Sequence, residues 1–248
     1  MKNILIRLLS LFSGLILIFI ILPHLGVTIF SSYKEIISIS ANDIENIGES
    51  MVYTFYRFIT SILIGYIIGV LISIPCLLSE KVDSFLSIWY TILRITPTIV
   101  WIPILFSLPK EVLNKDFIPI ILGIIFSSLY VSMHIIKVVK DISDEEKIAM
   151  KSMKVDFMWK WKYCYYPRIV VSSVSSLKFG GSIAFILVIV GESLISVDRS
   201  LGFLLSSYQT YITISKPQFW LVTIIISLLA LIIFYMFSFL NKLTRTND

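Results

Sequence analysis

The chain has 248 residues, of which 57% are hydrophobic and only 15% charged, with a mean hydropathy of +0.90. Soluble domains carry charge on roughly a quarter of their residues, so these values exclude an ordinary soluble enzyme or binding module. The net charge of +5 calls for no nucleic acid, because loops beside anionic lipid account for it.

Apolar runs at roughly 5–29, 52–78, 84–107, 117–137, 169–195 and 217–240 predict six transmembrane helices. A spanning helix takes about 20 apolar residues, and each run is long enough to cross with some tilt. The expected fold class is therefore an all-α membrane protein of about six spans. Barrels are excluded, because the runs are continuous rather than ten-residue alternations. The first run, from Ile4 to Leu22, exceeds a typical signal-peptide core and has no small-residue cleavage site after it, so retention is expected. Cys76 falls in a span and Cys164 beside one face, so free thiols are expected. Placing both termini inside puts 13 of the 21 Lys and Arg residues on the inner side and 5 on the outer side. This follows the positive-inside rule and predicts a multi-pass cell-membrane protein, an inner-membrane one in a two-membrane cell, with cytoplasmic termini.

No G-x-x-x-x-G-K-[ST] loop, H-E-x-x-H or G-x-S-x-G occurs, and His24 and His134 are far apart. No catalytic residue, metal or cofactor is expected. The ionisable residues inside the spans are Arg57, Arg94, Lys178 and Glu192. Such groups mark functional candidates, or else they lie near helix ends and snorkel to the interface.

The longest polar segment joins the fourth and fifth spans. Read as a helix, 144–164 places Ala149, Met150, Met153, Phe157 and Trp161 on one apolar face, flanked by lysines. Pro167 is expected to stop this element before the fifth span. Such a helix lies on the membrane, packs under its own bundle, or docks into a groove on a cytoplasmic partner.

In the second span, Arg57 is followed by Gly65 and Gly69, and Ser61, Gly65 and Gly69 form a small-xxx-small stripe for close helix packing. The third span carries Arg94, Pro97 and Pro103, and two prolines there bend the span where protein or a cavity satisfies the freed carbonyls. The fourth opens with FIPII, and the fifth ends in Glu192 followed by Leu201–Gly202. In order and spacing these stretches resemble the permease subunit of a binding-protein-dependent ABC importer with the type I permease fold. The resemblance is to the nitrate, sulfonate and taurine subgroup, which also includes carriers of pyrimidine vitamin precursors. It covers roughly residues 45–240. The family's cytoplasmic E-A-A-x-x-x-G-x9-I-x-L-P loop is matched here only at Ala149 and Pro167, with Lys154 at the glycine position and Ile148 and Met150 flanking Ala149.

The resemblance implies an N-terminal span and outer loop over 1–50, a permease domain over 51–240 with a coupling loop at 138–168, and a tail at 241–248. It implies two such chains, a homodimer or heterodimer, around one pathway. Separate ATPase subunits would sit on the cytoplasmic side and a substrate-binding protein outside, so ATP hydrolysis belongs to another chain. Ala149, Met150, Met153, Lys154, Phe157, Trp161 and Pro167 would form the coupling loop. Arg94, Pro97, Pro103, Gly181, Glu192 and Gly202 would be pathway or gate residues, although Gly181 and its neighbour Gly180 read more readily as ordinary helix packing. Arg57, Arg94 and Lys178 would suit anionic cargo, such as a sulfonate or nitrate. The competing readings are an ion-coupled secondary transporter, for which no internal repeat is visible, and a membrane-embedded enzyme or non-transporting scaffold.

Overall fold

The computed structural model describes residues 33–97, 100–107, 114–152 and 156–245. Among these residues the chain is helical and contains no strand. The helices are α1 (Tyr33–Ile37), α2 (Ala41–Leu78), α3 (Glu80–Ile95), α4 (Trp101–Phe106), α5 (Ile118–Lys140), α6 (Asp144–Ser152), α7 (Phe157–Lys160), α8 (Tyr166–Ile195), α9 (Leu201–Thr210) and α10 (Lys216–Arg245). Four stretches are long and apolar enough to cross a membrane: 41–78, 115–140, 158–195 and 216–242. The chain is an all-α membrane protein. The first expected span, 5–29, lies outside the described residues.

Three expected boundaries change. Helix α2 begins at Ala41, inside a segment read as an outer loop. Ser40 caps it, its hydroxyl accepting from the Asp43 amide at 3.2 Å, and Asp43 then accepts from Gln218 at 3.1 Å on α10. The expected span 84–107 is not one helix. It ends at Ile95, with Thr96 extended, and resumes at Trp101 as α4. Pro97 is the cause, since a residue preceding proline is driven out of the α region. Pro103 lies in the first turn of α4, where a missing N–H costs nothing.

The third change is in the 144–164 element, which is not a single helix. Helix α6 stops at Ser152, and helix resumes at Phe157. Nor does Pro167 stop it. A π-helical turn, Trp161–Tyr165, joins α7 to α8, and the Tyr166 amide donates to the Trp161 carbonyl. Proline clashes with the carbonyl four residues before it. A widened turn at that point accommodates the ring and lets helix run on to Ile195.

The most buried helix is α5, packed between α2 and α8. Small residues permit the approach. A Cβ on Gly69 would lie 2.7 Å from the Ser128 carbonyl oxygen, and one on Gly123 would lie 2.7 Å from the Ser61 side chain. Gly65 faces Ser127 more closely still. The Ser61 hydroxyl donates to the carbonyls of Arg57 at 2.7 Å and Ile120 at 3.2 Å. Lipid is as apolar as leucine, so such packing and interhelical bonding carry helix association in a bilayer.

Apolar clusters fill the remaining spaces. Phe58 and Ile62 of α2 meet Phe185 and Ile189 of α8, Leu201 of α9, and Val222 and Phe237 of α10. The Phe58 and Phe185 rings meet edge to face with centroids 5.6 Å apart. At the other end Val131, Ile135 and Val139 pack on Ile169, covered by Trp161 and Tyr165. Helix α3 buries no residue. It is fastened to α5 by Tyr90 to Ser132 at 3.0 Å and Lys140 to Asp83 at 2.6 Å.

Candidate functional site: a buried carboxylate and the opposite aromatic end

Glu192 lies in the last turn of α8 and is wholly buried. Its carboxylate accepts from Arg57 Nη1 at 3.0 Å through Oε1. Through Oε2 it accepts from the Thr54 hydroxyl at 2.9 Å and the Gly202 amide at 3.3 Å. The Leu201 amide in turn donates to Thr54 Oγ1 at 2.9 Å, and the Phe203 amide to Ser200 Oγ at 3.2 Å. The first three N–H groups of α9 therefore all find side-chain acceptors. These are donors that a helix leaves without internal partners, and the positive end of the helix dipole favours an anion there.

The local chain is shaped for this. Ser196 and Arg199 take positive φ, 55° and 51°, in the turn between α8 and α9. Left-handed backbone costs roughly 1–2 kcal/mol per non-glycine residue. The turn is secured by the Val197 amide donating to the Glu192 carbonyl at 3.2 Å, and by complete burial of Val197 and Leu201. A Cβ on Gly202 would lie 2.6 Å from the Glu192 Cβ and 2.8 Å from the Ser193 nitrogen, so only glycine brings α9 this close to α8. Arg57 and Glu192 do not snorkel; they are each other's partner. Thr54 was missed in the sequence, although it sits one helical turn before Arg57 on the same face.

The other candidates lie apart from this centre. Arg94 is exposed at the end of α3, Pro97 breaks the chain beyond it, and Pro103 is in α4. Gly181 lies against the Phe237 ring, so its immediate role is helix packing. Lys178 places its Nζ 4.2 Å from the centroid of the Phe234 ring, a cation–π contact. His134 Nε2 is 2.8 Å from the Ser175 hydroxyl, with its ring 5.0 Å from that of Phe179. Cys76 is buried, Cys164 half-buried, and both are free. No group of metal-ligating side chains occurs among the described residues.

At the opposite end of α8, Arg168 makes a two-pronged contact with Glu146, at 2.8 and 2.7 Å, and donates to the Asp141 carbonyl at 3.4 Å. The Arg168 hydrogen bonds hold the Glu146 carboxyl below the usual carboxylate range. Ala149 and Met150 lie in α6, and Phe157 opens α7. Met153 and Lys154 lie outside the described residues. Trp161 packs on the bundle's own apolar cluster. The side chains turned outward here are Met158, Trp159, Tyr163 and Tyr166, none of which the expected apolar face contained.

Comparison with protein-family models and with curated proteins finds no match.

Proposed function

We propose that the chain is the transmembrane permease subunit of an ATP-driven ABC importer for a small solute. It would act with separate ATPase subunits, an external binding protein and a second permease chain. The observation that supports this most is the course of the 158–195 helix, unbroken from the charged, aromatic 138–168 end to the buried Glu192. A permease driven from one face needs such a rod to carry motion across the membrane. The order of Arg57, the Pro97/Pro103 pair, Glu192 and Leu201–Gly202 along the chain supports the same family.

In this reading six spans are completed by the 5–29 segment and by α3 with α4 crossing as a proline-broken pair. Both termini are then cytoplasmic. Helix α6 and Phe157 at the start of α7 form the contact with the ATPase, and Glu192 with Gly202 fastens the outer end rather than lining the path. The chain itself hydrolyses nothing. The test is reconstitution. The chain should co-purify with a P-loop ATPase encoded beside it and transport only with that subunit and ATP. Uptake driven by an ion gradient in vesicles holding this chain alone would refute the reading and favour a secondary transporter.

A further inference from the structure

Across the π turn the outward side chains form a single stripe. Trp159, Tyr163, Tyr166 and Val170 are exposed at steps of three or four residues, with Lys162 exposed beside Tyr163. The Trp159 and Tyr163 rings pack with centroids 4.8 Å apart, and Lys162 Nζ lies 5.3 Å from the centre of the Tyr163 ring. Beside them is an open hollow of about 630 Å³, lined by Asp156, Trp159, Trp161, Lys162, Tyr163 and Tyr166. Trp159 is 50% exposed, Tyr163 56% and Tyr166 58%, so about half of each residue is left open among the described residues.

Three observations say what covers them. The first is position. Ile169 packs level with Val139 and Ile135 at the end of the apolar core. The charged pairs Lys140–Asp83 and Arg168–Glu146 adjoin this cluster, since Lys140 follows Val139 and Arg168 precedes Ile169 in the chain, and the residues of the hollow, Asp156 to Tyr166, come just before Arg168. The second is composition: amphipathic tryptophan and tyrosine rings beside lysine are the residues that settle at a membrane–water interface. The third is continuity, since the stripe passes without a break into Val170, 47% exposed on the flank of a span. The charged residues of the hollow's own lining are Lys162 and Asp156, and Lys160, two residues before Lys162, adds a second cation to the segment around it.

We propose that this hollow seats the headgroup of an anionic phospholipid. Trp159, Tyr163 and Tyr166 anchor the helix at the interface, and the Lys162 ammonium meets the phosphate. The proposal does not rest on the transport reading, since it holds for the chain alone in a bilayer.

The test uses the full chain in phosphatidylcholine vesicles containing phosphatidylglycerol, with bromine on the acyl chains near the headgroup of one lipid or the other. The Trp159 signal is the difference between the wild type and Trp159→Phe. Brominated lipid should quench it. Phosphatidylglycerol should quench more strongly than phosphatidylcholine at equal mole fraction, by up to about fivefold for one lysine at an anionic surface. Lys162→Gln should bring the two lipids close to equality. Trp159 reached by aqueous iodide and untouched by brominated lipid would overturn the proposal and assign the stripe to a protein partner. Equal quenching by the two lipids, unchanged by Lys162→Gln, would overturn the headgroup site. If Trp159→Phe fails to reconstitute, the same lipid comparison on all tryptophans of the wild type and Lys162→Gln decides: a lost preference supports the site and an unchanged one refutes it.

Discussion

Removing the charge of Glu192 should destabilise the bundle by more than breaking an exposed ion pair would, and its cost should overlap with that of removing Arg57. In Glu192→Gln the amide oxygen still accepts from Thr54 and Gly202, whose bonds are 2.9 and 3.3 Å in the wild type. Arg57 is left buried at 8% exposure without its counter-charge. Breaking a buried pair from one side costs about 3–5 kcal/mol; the retained bonds place Glu192→Gln at the lower end, about 3 kcal/mol. At roughly 2–4 °C per kcal/mol for a chain of this size, the midpoint should fall by about 6–12 °C. Arg57→Met leaves the carboxylate unpaired and should cost a similar amount. The double variant removes both charges, and its loss should be smaller than the sum of the singles by about 2 kcal/mol. Thermal unfolding in detergent can be followed by a thiol-reactive dye on Cys76, which is 1% exposed, in a Cys164→Ser background. Single losses below about 1 kcal/mol, the level of an exposed pair, would refute the argument. So would strict additivity.

Gly65→Ala should destabilise the α2–α5 contact by about 1–3 kcal/mol, the cost of overpacking. Gly48→Ala, on the same helix with nothing within 4 Å of the added carbon, should be neutral or stabilising; equal effects on the midpoint would contradict the packing. The Glu146–Arg168 contact should depend on acid. The folded carboxyl is held low, so its contribution is complete at neutral pH, above the ordinary glutamate range. It is lost as pH falls through the lowered folded value. Proteolysis within Asp144–Ser152 should therefore rise on acidification in the wild type and much less in Glu146→Gln. Trp161→Ala should lower the unfolding midpoint, by about 2 kcal/mol for a half-buried ring, whereas Trp159→Ala should change it by less than about 0.5 kcal/mol.

The long spans were legible because hydropathy reports them directly. Runs at 117–137, 169–195 and 217–240 became α5, α8 and α10 within a few residues at most ends. What hydropathy does not report is helix made of polar residues. The start of α2 is polar, and only Ser40 and Asp43 signalled its capped N-terminus. Pro97 and Pro167 look alike in sequence and act oppositely. Pro97 is preceded by an extended Thr96, whereas Pro167 falls in the first turn of α8 behind a widened turn that receives its ring. The Glu192 centre was legible only in pieces. Glu192, Leu201 and Gly202 stood out, as did Arg57. Their union depends on α2 lying beside α8 across 135 residues of sequence separation, which periodicity within one helix cannot supply.

The distribution of fastening limits how such a chain can move. Helices α2, α5 and α8 are joined by glycine and serine contacts along their length, and α9 is clamped to α2 and α8 by Thr54, Arg57 and Glu192. Sliding any of these past another would unpair a buried charge or drive a side chain into backbone, so these contacts resist relative movement of α2, α5, α8 and α9. By contrast α3 buries no side chain, its polar ties to α5 are Asp83 to Lys140 and Tyr90 to Ser132, and proline separates it from α4. A permease of the kind proposed needs two global states. Under the proposed function, the change would fall at the edges of this unit: between it and α3–α4, and between it and the second permease chain. The Met158–Ile195 helix, 38 residues long and so about 57 Å at 1.5 Å per residue, belongs to that unit. In the proposed permease, a push at its aromatic end would reach Glu192 along this helix, and the π turn before Pro167 is the place where it would bend.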